Sequence, residues 1–380
     1  MKKNQLVTLG KHIDILSGCA FPSSGFNRNN GVPLIRIRDI LSGKTETYYE
    51  GSYDLKYLIK KGDLLVGMDG DFNREYWKGT DALLNQRVCK ITPNPETLDK
   101  NFLYHFLQKE LDKIHATTDV VTVKHLSVKK IQDIKIRLPS LKEQKRIATI
   151  LDKADAIRQK REQAIKLADD FLRAKFLEMF GTPANNIHRF PKGTIRDLVD
   201  SVNYGTSAKA SIDSGEYPIL RMGNITYQGR WDFTDLKYLD LSVKEKDKYL
   251  VKEGDLLFNR TNSKELVGKT AVYEEDRPMA FAGYLIRVRP NSIGNNYYIS
   301  GYLNSIHGKI TLMNMCKSIV GMANINAQEL QNIETLIPPK HLQDEYEIIY
   351  KKIKKGLSIY DKSAMQLQLL ASNLSNKYFM

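Results

Sequence analysis

Apolar residues are distributed along this chain in two ways. Short apolar runs broken by Gly and Asn, as in residues 32–40 and 255–259, predict strands and turns. Two longer stretches instead carry apolar residues at steps of three and four. The first runs from about residue 141 to 180 through Ile147, Ile150, Leu151, Ala154, Ile157, Ala164, Ile165, Ala168, Phe171, Leu172, Phe176 and Met179, with Arg161 interrupting. The second runs from about 342 to 379 through Tyr346, Ile349, Tyr350, Ile353, Leu357, Tyr360, Ala364, Leu367, Leu370, Ala371, Leu374 and Tyr378. This spacing predicts two long helices with one apolar stripe each. Pro139 stands before the first and Gly181-Thr182-Pro183 ends it, while Pro338-Pro339 stand before the second. Shorter helices are expected over 102–114 and 297–313.

The pattern occurs twice. Pro33-Leu34-Ile35-Arg36-Ile37-Arg38-Asp39-Ile40 reads like Pro218-Ile219-Leu220-Arg221-Met222-Gly223-Asn224-Ile225, 185 residues later. Lys61-Gly62-Asp63-Leu64-Leu65 matches Glu253-Gly254-Asp255-Leu256-Leu257 at a separation of 192, and Pro139 matches Pro338 at 199. Order is kept and the offset grows steadily, as a duplication with insertions in the second copy requires.

Neither long helix can bury its stripe alone, so the two are expected to pair, the alternative being that each packs on its own globular domain. The expected fold is α+β: two similar mixed α/β domains joined by two long antiparallel helices in a coiled coil, with a pseudo-two-fold internal repeat. The boundaries are domain 1–139, helix 140–181, domain 182–338 and helix 339–380. The seam is assigned to Ile147, Ile150, Ala154, Ile157 and Phe171 against Ile353, Leu357, Leu367 and Leu374. A helix of ~40 residues spans ~60 Å, against ~34 Å for one turn of B-DNA.

A net charge of +14 favours a polyanionic partner, and 44 acidic residues point to a folded mixed-charge surface rather than a basic tail. Cys19, Cys89 and Cys316 lie far apart, which gives neither a disulfide framework nor a zinc site. No signal peptide and no ~18-residue apolar span is evident, so the expected location is the cytoplasm, away from membranes. Val267-Gly268-Lys269-Thr270 resembles the end of a P-loop, but Ser263 stands where the first glycine belongs. No GxGxxG, HExxH or Asn-Pro-Pro-Tyr is present. No catalytic residue, metal site or bound cofactor is expected on this chain.

Several polar, basic segments suit DNA. In the first copy these hold Arg36, Arg38, Asn73, Arg74, Trp77, Lys78, Asn85, Gln86 and Arg87. In the second they hold Tyr204, Thr206, Ser207, Lys209, Arg221, Asn224, Asn259, Arg260, Thr261, Asn262 and Lys264. Arg pairs with guanine and Asn or Gln with adenine, while Lys and Arg also hold phosphates. Each loop is equally compatible with a solvated turn whose Asn and Gly serve the backbone. Arg36 and Arg221, at matching positions, fit either a bond within the domain or a phosphate contact.

Together these segments resemble the specificity subunit of type I restriction-modification systems over essentially the whole chain. The resemblance rests on Tyr204-Gly205-Thr206-Ser207, on Leu220 to Ile225, on Gly254 to Arg260, on Val267 to Val272, and on Leu138-Pro139-Ser140-Leu141-Lys142-Glu143-Gln144. It implies two target-recognition domains reading a bipartite sequence in double-stranded DNA. It also implies two methyltransferase subunits and restriction-translocase subunits as partners, with S-adenosylmethionine, ATP and magnesium belonging to them. The approach to the second helix, Ile337 to Gln343, departs from the first. The first copy also lacks a clear Asn-Arg-Thr after Leu65, so the two half-sites should differ.

Two other readings stay open from the residues alone. One is a coiled-coil adaptor that binds proteins, and the other a magnesium-dependent nuclease using Asp69 and Asp71. The paired-helix reading makes a direct prediction. Four residues inserted after Gln159 add ~6 Å of helix, about 2 base pairs. Methylation profiling of host DNA should then show unchanged half-sites with a longer gap. Altered half-sites would refute the spacer role.

Overall fold

The computed structural model describes residues 6–118, 124–316 and 322–379. The chain forms two compact units, residues 1–160 with 362–380 and residues 161–361. Each takes one part of both long helices, Leu141–Phe180 and Lys340–Phe379.

The units repeat one core topology, with Phe26–Asn27 as an additional strand in the first and the pair Thr261–Asn262 with Ala323–Asn324 in the second. The first has a four-stranded antiparallel sheet in the order Ile13–Ser17, Val88–Pro93, Leu64–Gly67, Arg74–Tyr76. The second has Val199–Tyr204, Leu285–Pro290, Leu256–Asn259, Thr270–Val272. A further sheet in each unit centres on one parallel pair, Val32–Ile35 with Ala82–Leu84 and Tyr217–Leu220 with Met279–Phe281. A short antiparallel pair completes each unit, Leu6–Thr8 with Lys135–Arg137 and Lys192–Thr194 with Glu334–Leu336.

The repeated Gly-Asp-Leu-Leu now has a cause. Gly62 and Gly254 adopt φ of 89° and 87°, which an L side chain resists. The next residue closes the turn: Asp63 accepts from the Lys60 N–H and Asp255 from the Lys252 N–H, at 2.9 and 3.0 Å. The two leucines then enter buried strands. Asp255 is itself buried and is held by Arg289 at 2.8 Å, whereas Asp63 meets Lys90 at 3.4 Å.

The first shorter helix spans Lys100–Ala116. The one expected over 297–313 is two helices, Asn296–Asn304 and Ile306–Met315. Ser305 breaks it. Its backbone is extended, its hydroxyl donates to the Tyr302 carbonyl at 2.6 Å, and the same oxygen accepts from the Gly308 N–H as an N-cap.

The long helices are anchored in the unit cores. In the first unit Ile147, Ala148 and Leu151 join one buried cluster with Phe379, whose ring meets Phe102 and Phe106 edge-on at 5.3 and 5.7 Å; Ala371 and Leu374 pack against it. In the second unit Phe176 and Phe180 meet Tyr346 edge-on at 5.4 and 5.8 Å. Leu357 is buried, and Ile150, Ala154, Ile353 and Leu367 are partly so. Two assigned seam residues do not belong there: Ile157 and Phe171 are 39% and 49% exposed. At 100° per residue, Phe171 lies about 120° around the helix from Ile147, because counting by threes and fours drifts off a 3.6-residue turn. Arg161, expected to interrupt the stripe, is buried within it. The side chains of Tyr360, Ala364 and Tyr378 lie outside the described residues.

Both helices begin on a buried glutamine. Gln144 donates from Nε2 to the carbonyls of Pro139 and Thr97 at 2.9 and 3.0 Å and accepts from the Asp99 N–H at 2.8 Å. Gln343 likewise donates to Pro338 and Ile293 at 2.8 and 2.9 Å. The two approaches that look different in sequence therefore close on one device. Replacing Gln144 with Ala leaves buried backbone groups unpaired. A loss of roughly 2–4 kcal/mol is expected, read from the shift in urea midpoint.

Candidate nucleic-acid interface

In each unit the strand after the Gly-Asp turn runs toward a tight turn between two other strands. The backbone there repeats bond for bond. Cys19 N donates to Leu84 O and Gln86 N to Cys19 O; in the second unit Thr206 N donates to Phe281 O and Gly283 N to Thr206 O. Met68 N donates to Arg87 O and Leu126 N to Met68 O; their counterparts are Arg260 N to Tyr284 O and Ile325 N to Arg260 O. Asn85-Gln86-Arg87 is therefore equivalent to Ala282-Gly283-Tyr284, and Met68 to Arg260. This explains why no Asn-Arg-Thr follows Leu65: Gly67-Met68-Asp69 occupies the place of Asn259-Arg260-Thr261.

A glycine makes this approach possible in both units. A Cβ on Gly18 would stand 2.0 Å from the Asn85 carbonyl oxygen, and one on Gly205 would stand 2.3 Å from that of Ala282. No side chain fits at such distances.

In the first unit this turn forms a groove lined by Arg36, Ile37, Arg38, Asn85, Gln86 and Arg87. Arg36, Arg38, Gln86 and Arg87 are exposed, whereas Asn85, also assigned to the interface, is buried. Arg87 holds a positive φ of 71°. Its Nε lies 3.4 Å from Asp69 Oδ2, and Asp69 Oδ1 lies 2.6 Å from His125 Nδ1. Asp69 is thus engaged by two side chains, and among the described residues no three His, Cys, Asp or Glu side chains gather as a metal-binding group.

In the second unit the rim is formed differently. Arg260 lies over the Tyr204 ring at 4.8 Å, and the Tyr204 hydroxyl accepts from the Ala327 N–H at 2.9 Å. Tyr284, Met222 and Tyr204 are 54%, 38% and 41% exposed. Ser207, Lys209 and Lys264 are also exposed.

Several residues assigned to the interface do other work. Trp77 is buried and its indole N–H donates to Thr80 O at 2.6 Å. Arg74 stacks at 3.4 Å on Tyr104, a ring of the Lys100–Ala116 helix. Asn224 is buried, accepting from the Arg221 N–H and donating to the Asp232 and Asp235 carbonyls. Arg221 donates to both the carbonyl and the carboxylate of Asp235, so it serves the domain, whereas its equivalent Arg36 lines the groove. Asn259, Thr206 and Thr261 are buried. Asn73 is half-buried and its carbonyl accepts from the Gly67 N–H, Asn262 caps the Ser263 N–H, and Lys78 pairs with Glu75 at 3.3 Å. Buried polar groups must be paired, and most of these are. Sequence reasoning missed Tyr284, Met222 and His125, of which only the equivalence of the two turns gives any signal.

A family model for the type I restriction modification DNA specificity domain matches residues 1–167 and again 190–371, one match in each repeat. The chain belongs to this family. It is 30% identical to the EcoBI specificity subunit of Escherichia coli over 97% of this chain and 82% of that protein. It is 23% identical to the EcoKI specificity subunit of Escherichia coli K12, covering 92% and 80%. The fold is shared with the crystal structure of a type I S subunit from M. genitalium, at TM-score 0.67, 14% identity, and 100% and 97% coverage. This type I specificity subunit is therefore a DNA sequence-recognition chain, and the adaptor and nuclease readings are not favoured. No helix among the described residues is long and apolar enough to cross a membrane.

The close approach generates a prediction. Gly18→Ala and Gly205→Ala should each lose roughly 1–3 kcal/mol of stability, since the carbonyl at the turn must be displaced. Gly223→Ala, with open space around its Cβ, should stay within about 0.5 kcal/mol. Equal urea midpoints for all three would contradict the geometry.

Proposed function

We propose that each unit reads one half of a bipartite duplex target at the rim of its turn, and that partner subunits carry all chemistry. Arg36, Arg38, Gln86 and Arg87 act in the first unit. Tyr204, Arg260 and Tyr284 act in the second, with Ser207, Lys209 and Lys264 on neighbouring loops. Two methyltransferase subunits, holding S-adenosylmethionine, assemble on this chain, and restriction-translocase subunits using ATP and magnesium join them. A relative of similar fold, at TM-score 0.51 and 16% identity, comes from a structure concerned with complex assembly of the type I system, which supports the assembly.

The observation that carries the reading is the duplicated turn: one backbone arrangement, repeated hydrogen bond for hydrogen bond, presenting different exposed side chains. A reader of two different half-sites needs this combination. Phosphate contacts by the basic residues position the duplex, while the rim specifies bases.

Purified with its methyltransferase partner, the chain should bind one bipartite duplex. Six phosphate contacts imply an affinity loss of about 1000-fold between 50 and 200 mM salt, measurable by fluorescence anisotropy. Equal affinity for scrambled duplexes at every salt concentration would overturn base reading.

A further inference from the structure

The equivalence of the two turns fixes which residues face the same task, and their chemistry is opposed. On the turn, Gln86-Arg87 in the first unit corresponds to Gly283-Tyr284 in the second. On the short turn before it, Arg36 and Arg221 each receive a cap from the residue three positions on, which makes Ile37-Arg38 equivalent to Met222-Gly223. The cation has also changed place: arginine is on the turn in the first unit and, in the second, at Arg260, directly after the Leu256–Asn259 strand.

These cations are differently available. The Arg87 side chain is 55% exposed and is braced rather than covered. Asp69 holds its Nε, and the other Asp69 oxygen is tied to His125, so the guanidinium is oriented with N–H donors left to offer. Arg260 is half-buried over Tyr204, and its Nε is enclosed without a hydrogen-bond partner. What the second turn exposes is the phenol ring of Tyr284 and the thioether of Met222. A braced guanidinium matches the two acceptors of guanine in the major groove, and apolar groups match the methyl of thymine.

We infer that the half-site read by the first unit depends on a guanine held by Arg87, and that the other half-site depends on an A·T pair whose thymine methyl meets Tyr284 and Met222. This rests on the base-reading role proposed above. It adds that Arg87, Tyr284 and Met222 determine specificity, and that Asp69 positions Arg87.

The test uses the full chain in complex with its methyltransferase partner, with the target motif taken from methylated host DNA. Anisotropy then compares the target duplex with duplexes in which single base pairs are exchanged. The ratio of affinities does not depend on the fraction of active protein. Arg87→Gly suits the backbone at φ 71° and removes only the side chain. It should cut discrimination at one G·C position by roughly 5- to 150-fold, the range for one bidentate pair, and leave the other half-site unchanged. Arg87→Gln should move that position toward adenine. Tyr284→Ser should relax an A·T position in the opposite half-site. The inference is overturned if Arg87→Gly and Arg87→Gln both keep the guanine preference, or if the Arg87 and Tyr284 variants relax the same half-site. A wild-type complex with no bipartite preference at all would instead sink the base-reading role itself.

Discussion

The constraint on which the candidate interface depends is a backbone contact. Gly18 and Gly205 let the chain come within van der Waals reach of the carbonyl at the duplicated turn, and main-chain hydrogen bonds then lock the turn from both sides. None of these bonds uses a side chain of the turn. Asn85, Gln86 and Arg87 can therefore become Ala282, Gly283 and Tyr284 with no loss of scaffold. The geometry of the turn is thereby separated from the side chains it presents. The geometry is held by groups common to all residues, and the proposed preference by groups that differ.

The same separation governs what could be read from sequence. The duplication was legible, because the Gly-Asp turn needs a positive φ and a carboxylate cap, and both needs appear as letters. The long helices were legible to within two residues at each end, since proline and periodicity mark them. The equivalence of Met68 with Arg260 was not legible. It lies in hydrogen bonds between main-chain atoms, which leave no trace in residue type. Choosing polar residues as interface candidates also favoured Asn224, Asn259 and Thr206, whose polarity serves buried backbone. It passed over Tyr284 and Met222, whose apolar surfaces carry the second rim.

The helix stripes show a related limit. Periodicity found the buried face at Ile147, Leu151, Leu172 and Phe176. It failed at Ile157 and Phe171, where a run of three- and four-residue steps had drifted round the cylinder, and at Arg161, which the stripe includes although it is charged. Over forty residues a small error per turn accumulates, so face assignment degrades with length even when the helix itself is certain.

The buried glutamines link helix and domain. Gln144 joins the first turn of its helix to the loop before the Lys100–Ala116 helix, and Gln343 joins its helix to the loop before Asn296–Asn304. An amide can donate and accept at once; Gln144 does both, meeting two carbonyls and the Asp99 N–H, while Gln343 donates to two carbonyls. A hydrophobic residue would leave those groups unpaired, and a charged one would add a desolvation penalty. The orientation of each long helix on its unit is thus set by directional bonds as well as by aromatic packing. A specificity subunit needs that combination, because apolar contact tolerates sliding and a hydrogen-bonded amide does not.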